Sequence, residues 1–223
     1  MEILIIALTA FLAAILTFFS GFGLGTILAP VFMIFFPIEV AIALTGVVHF
    51  LNNLFKLILV GKNSNREVLL KFGIPAVIAA FLGSMVLINM SDINPIFSYT
   101  FFGKEMNVFP IKLLIAVILI VFSILELIPK FQKLQFSKDK LLIGGFLSGF
   151  FGGLSGNQGA LRSAFLIKCG LSKESFIGTT VVISSFVDFT RLSVYSTKFL
   201  NAGLNENMTI VIIAALSAMF GAF

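Results

Sequence analysis

The sequence predicts an all-α polytopic membrane protein made of two inverted repeats, each a broken helical hairpin followed by spanning helices. Three observations lead there. Of 223 residues, 59% are hydrophobic and only 11% charged, with a mean hydropathy of +1.12; a soluble domain carries about 45–50% apolar and about 25% charged residues. The apolar residues fall in runs of membrane-segment length, two of which are interrupted by glycine. The two halves of the chain also align on each other without a gap at a spacing of 135 residues.

In chain order the apolar segments are 3–36, 39–60, 68–90, 109–128, 141–167, 172–197 and 207–223. A spanning helix needs about 20 residues, which segments 39–60, 68–90, 109–128 and 172–197 supply. Segment 3–36 is too long for one helix and is broken at Gly21-Phe22-Gly23-Leu24-Gly25. Segment 141–167 contains Gly152, Gly153, Gly156 and Gly159, a density that should break a helix. Broken backbone at membrane depth survives only where it lines a cavity or is covered by protein. Both segments are therefore expected to be hairpins with tips near mid-membrane, each half too short to span.

The repeat rests on matched positions. Phe11-Leu12 falls on Phe146-Leu147, Ser20-Gly21 on Ser155-Gly156, Glu39 on Glu174, Thr45 on Thr180 and Ala79-Ala80 on Ala214-Ala215, while Asn53 faces Asp188 and Lys56 faces Arg191. Residues 1–90 form the first repeat, a hairpin plus two helices. Residues 91–128 add a loop and a fourth helix, and 129–223 form the second repeat. The counterpart of the fourth helix would fall after Phe223, so the natural chain is expected to be longer or to lack that helix. At the other end Met1-Glu2 lacks the positive n-region and cleavage site of a signal peptide, and residues 3–19 are expected to stay in the mature protein.

Loop charge orients the halves. Loops 61–71, 129–140 and 168–175 are net +2, +3 and +1, whereas 36–40 and 91–108 are each net −1 and 197–207 is neutral. If each hairpin returns to its own side, the three positive loops share one face, as the positive-inside rule requires, and the repeats are inverted. The formal net charge of +5 is explained by these loops and implies no nucleic acid. The expected setting is the cytoplasmic membrane, crossed several times, with lipid and a small solute as partners and a second copy of the chain as a further candidate. The lone Cys169 excludes an internal disulfide and a cysteine metal cluster; no metal and no cofactor is expected.

The polar residues of the two breaks carry the functional signal. In each hairpin the second half is a helix whose N-terminus points toward the bilayer centre, offering free N–H groups and a partial positive charge. At the second break lie Ser155, Gly156, Asn157, Gln158 and Gly159, with Arg162 one turn on; Gly23 and Gly25 hold the matching place in the first. An oxyanion at such a junction gains backbone donors, and an arginine adds a planar fork matched to a sulfonate or carboxylate. The alternative for Asn157 and Gln158 is helix capping. A second constellation is a polar stripe on the helix after each hairpin: Thr45, His49, Asn53 and Lys56 in one half, Thr180, Ser184, Asp188 and Arg191 in the other. Such a face on an apolar helix must turn inward. Asp188 is the chief proton-coupling candidate and Glu126 a weaker one, while pairing of Asp188 with Arg191 is the structural alternative. Lys56, near its helix end, is expected to snorkel to the interface. His49 is either a titrating group or a hydrogen-bonded helix contact.

Gly21-Phe22-Gly23-Leu24-Gly25-Thr26 with Ala29-Pro30 and Pro37-Ile38-Glu39-Val40-Ala41 resembles the first repeat of the sulfite exporter permeases of the TauE/SafE type. Residues 145–195, above all Gly153 to Ser163 and Gly170 to Glu174, resemble the second. The resemblance covers 10–90 and 140–223 and implies a permease for a small sulfur-containing anion such as sulfite, a sulfonate or sulfoacetate. It would work by alternating access about a site between the two tips. An anion channel on the same scaffold is one alternative. Another is a rhomboid-like serine protease, because Gly153-Leu154-Ser155-Gly156 matches G-x-S-G and His49 is the only histidine; the duplicated Ser20-Gly21 explains that motif without catalysis.

Overall fold

The computed structural model describes residues 2–20, 24–128, 135–199 and 207–222; Gly23 and the side chain of Glu126 lie outside the described part. Nine helices occur among the described residues. They are α1 (Glu2–Ser20), α2 (Leu24–Phe35), α3 (Ile38–Val60), α4 (Arg66–Met90), α5 (Pro110–Leu127), α6 (Leu141–Ser155), α7 (Gly159–Leu166), α8 (Lys173–Phe199) and α9 (Met208–Ala222). Of these α3, α4 and α8 are long and apolar enough to cross a membrane. The chain is a helical membrane protein.

Each of the two glycine-broken segments holds two helices, α1–α2 and α6–α7; the first break, at residues 21–23, lies outside the described part. Their second members, of 12 and 8 residues, rise only about 18 and 12 Å at about 1.5 Å per residue. One expectation needs correction: α1 has 19 residues and rises about 28 Å, close to a full crossing. The loop 91–108 also holds structure that the all-α expectation omits. Phe97–Phe101 (β1) pairs antiparallel with Lys104–Val108 (β2), with Phe97 opposite Val108 and Phe101 opposite Lys104. The turn uses Phe102 and Gly103, both at positive φ.

The break falls inside the expected glycine cluster, although Gly152 and Gly153 remain helical. Gly145, Gly149 and Gly153 recur every four residues on one face of α6. A Cβ on them would lie 2.2, 2.0 and 2.0 Å from the carbonyl oxygens of Phe72, Ala76 and Ala80 on α4. Gly83 of α4 meets the Phe150 carbonyl in the same way, at 2.1 Å. Small residues let the two backbones touch, which is how apolar helices associate where no hydrophobic force separates lipid from protein. The break itself falls at Gly156, the left-handed residue at the end of α6 (φ 83°).

Three packings dominate: α4 on α6, α1 on α9 and α3 on α8. Around α1, α2, α3 and α9 the core is Ile6, Ala13, Leu28, Phe32, Leu44 and Val48 with Val211 and Ala214. α5 packs through Ile111, Ile115 and Phe122 against Leu87, Leu154 and Tyr195. Near the loops, Phe72, Phe165 and Leu166 join Ile183 and Val187. Within α4, a wide π-type turn over Leu69–Gly73 precedes Pro75, whose missing N–H leaves one carbonyl without its helical donor.

Candidate anion-binding site

The start of α2 meets the turn that ends α6. Thr26 of α2 donates its hydroxyl to Asn157 Oδ1 at 3.2 Å. A Cβ on Gly25 would lie 3.2 Å from the Gly156 carbonyl oxygen and 3.8 Å from the Thr45 methyl. Gly156 is required on two counts: its φ is positive, and a Cβ there would come within 2.8 Å of Arg191 Nη1. Gly25, Thr26, Thr45, Gly46, Gly156, Asn157 and Arg191 therefore surround one junction.

Several buried polar atoms at and beside the junction have no hydrogen-bond partner among the described residues: Thr45 Oγ1, Asn157 Nδ2, both amide atoms of Gln158, Arg162 Nε and Nη1, and Arg191 Nη1. A buried donor left unpaired costs about 1–3 kcal/mol, more when charged, so this many in one region is unusual for a packed interior. Most of them are donors, which suits an anion.

Asp188 is fully buried, and both of its oxygens are engaged. Oδ1 accepts from Arg191 Nε at 2.9 Å, with Nη2 also 2.9 Å away. Oδ2 lies 2.6 Å from His49 Nδ1 and accepts from Asn53 Nδ2 at 2.9 Å. The structural alternative for Asp188, pairing with Arg191, is present, and His49 is a hydrogen-bonded contact between α3 and α8. Arg162 is left with no ion-pair partner among the described residues, although it lies within electrostatic reach of Asp188. Lys56 is partly exposed and lies within electrostatic range of Arg162.

The other expected site residues divide. Gly159 begins α7 and is buried. Ser155 donates to the Phe151 carbonyl at 3.0 Å and receives the Asn157 N–H at 3.4 Å, so it ties the end of α6 to the turn. No hydrogen bond joins Ser155 to His49 among the described residues, and the catalytic pair of a serine protease is not formed. Thr180 donates to the Ile177 carbonyl of its own helix at 2.8 Å; it lies near the start of α8, away from the junction. Sequence reasoning missed Thr26, Ser84 and Tyr195. Ser84 donates to the Gly153 carbonyl at 3.2 Å, and the Tyr195 hydroxyl donates to the same oxygen, one of the last-turn carbonyls of α6 with no helical donor. Continuing the stripe from Arg191 by four residues reaches Tyr195. Thr26 and Ser84 are single polar residues on apolar helices, a weaker signal.

Helices of this apolarity, with two broken hairpins meeting over buried guanidinium groups, define a membrane protein with an interior cationic site. The comparison with known families narrows this. A model of the sulfite exporter TauE/SafE family matches residues 6–223, nearly the whole chain, and the chain belongs to that family. No curated protein and no solved structure matches it.

Proposed function

We propose that this protein is a permease of the cytoplasmic membrane that carries a small sulfur-containing anion, such as sulfite, a sulfonate or sulfoacetate. The observation that carries the proposal is Arg162: buried, with two guanidinium nitrogens unpartnered among the described residues, while Asp188, the one buried carboxylate among those residues, is held by Arg191, His49 and Asn53. A buried arginine without a fixed partner is costly, and an anion arriving at the junction relieves that cost. Arg162 would supply the main charge, and Asn157, Gln158, Thr45, Arg191 and the backbone around Gly156 and Gly159 would supply further donors.

Alternating access by inverted repeats suits the packing. Under the spacing of 135, α1 corresponds to α6 and α4 to α9, so the α1–α9 and α6–α4 packings are counterparts. Each hairpin thus leans on the last helix of the other half, while α3 and α8, equivalent to each other, cross between them. This reciprocity supports division of the chain into repeats at 1–90 and 129–223, with 91–128 as the added hairpin and helix. A ligand-stabilisation screen of purified protein against sulfite, thiosulfate, sulfate, sulfoacetate, taurine and simple carboxylates tests the substrate class. Stabilisation by sulfur oxyanions over carboxylates is expected, and indifference to every anion would sink the proposal. Counterflow in proteoliposomes separates a carrier from a channel.

A further inference from the structure

We infer that His49 is the residue that takes up a proton together with the anion, and that Asp188 serves as its permanently ionised counter-ion. The inference rests on the anion-carrier proposal and goes beyond it by assigning the co-substrate and its acceptor atom. Asp188 is the obvious acid of the membrane interior, yet its surroundings suit it poorly as a proton carrier. Both oxygens are saturated by Arg191, Asn53 and His49 at 2.6–2.9 Å. Donors and a guanidinium stabilise the charged carboxylate. A bond of 2.6 Å from an imidazole nitrogen to an ionised carboxylate requires a proton between them, so Nδ1 carries the hydrogen and the 3.1 Å approach of Asn53 Nδ2 to Nδ1 is a contact between two donors. Nε2 then remains as the basic nitrogen. The His49 side chain keeps 9% of its surface accessible, whereas that of Asp188 keeps none.

The position couples that proton to the anion. His49 lies one turn from Thr45, which borders the junction, a separation of about 6 Å along the axis. The charged group bonded to it is Asp188, which also holds Arg191 on α8; Arg162 on α7 and Tyr195 on α8 lie within electrostatic reach of Asp188, and Lys56 on α3 within reach of Arg162; α2 and α9, which also pack on α3, contribute no titratable side chain, and the turn after α3 contributes Lys62 near the end of that helix. With neutral imidazole, Asp188 is outnumbered by three basic groups. Protonation of Nε2 adds one more positive charge near the junction, so anion and proton each favour the binding of the other. The His49–Asp188 bond also joins α3 to α8, one of the packings that connect the two halves.

Because the chain contains one histidine, the test is unusually direct. Methanesulfonate and sulfate keep a constant charge between about pH 5 and about pH 8 and serve as probes. Affinity for them should tighten on the order of tenfold as pH falls across that range. In histidine-labelled wild-type protein, adding either anion at fixed pH should increase the imidazolium fraction seen by NMR. His49→Gln should bind at every pH with the weaker affinity that wild type shows at alkaline pH, and anion entry into proteoliposomes should no longer carry protons. An unchanged imidazole signal on anion saturation, or a pH slope that survives His49→Gln, overturns the inference while leaving the carrier proposal standing. Absence of anion binding at any pH overturns both. The wild-type NMR experiment decides the matter even if the variant does not fold.

Discussion

Arg162 and Arg191 are buried alike but keep different electrostatic company. Arg191 is pinned by Asp188, whereas Arg162 faces Lys56 and has no fixed anion among the described residues. Arg162→Ala should therefore weaken anion binding by about 2–4 kcal/mol with little loss of stability. Arg162→Lys, which keeps the charge without the planar fork, should fall between that variant and wild type. Calorimetry on folded protein reads both, and wild-type affinity in Arg162→Ala would move the substrate elsewhere. Asp188→Asn should act in the opposite sense: removing one member of a buried ion pair costs about 3–5 kcal/mol. The double variant Asp188→Asn with Arg191→Gln should regain part of that stability in a melting experiment; full transport by it would remove Asp188 from the mechanism. Cys169 gives a pH test outside the membrane segments. Burial pushes its thiol up, more than nearby Lys138 draws it down, so less thiolate is present at neutral pH than for a free cysteine. Maleimide should label it slowly at neutral pH and faster as pH rises; rapid labelling at neutral pH would contradict its burial.

Among the elements, α4 and α6 set the geometry of the junction. Their backbones touch along Gly145, Gly149 and Gly153, and the Gly153 carbonyl receives Ser84 and Tyr195. The end of α6 is thereby fixed just before Gly156. Gly149→Val puts a Cβ 2.0 Å from the Ala76 oxygen, and neither backbone can yield without parting the helices. Overpacking costs about 1–3 kcal/mol where side chains can adjust, so a loss at the upper end or beyond is expected, read as a lowered melting temperature in detergent. Wild-type thermal stability in this variant would mean that the two helices are not in contact in the folded protein. Only part of this was legible beforehand: the glycines of α6 signal weak helix propensity and close packing equally, and one sequence cannot say which neighbouring backbone they meet.

For the whole molecule the open variable is the relation between the halves. Inverted repeats put the loop 61–71 and residues 197–207 on opposite sides of the membrane. Single cysteines at Asn63 and Asn205, in a Cys169→Ser background, should label from opposite faces with an impermeant reagent. Labelling of both from one face would exclude inversion.

Hydropathy and helical period determined much on their own: the membrane class, the two broken segments and the inward stripes on α3 and α8 follow from the cost of placing polar groups in lipid, which a sequence displays directly. Thr45, His49, Asn53, Asp188 and Arg191 could all be named that way. Pairing was settled only by tertiary structure. That Asp188 binds Arg191, His49 and Asn53 while Arg162 has no ion-pair partner among the described residues depends on how α3, α7 and α8 are placed, over separations of as many as 139 residues. The β-hairpin at 97–108 and the helical glycines of α6 depend on the same thing. Each is fixed by which surface another part of the chain presents, and no local period encodes that.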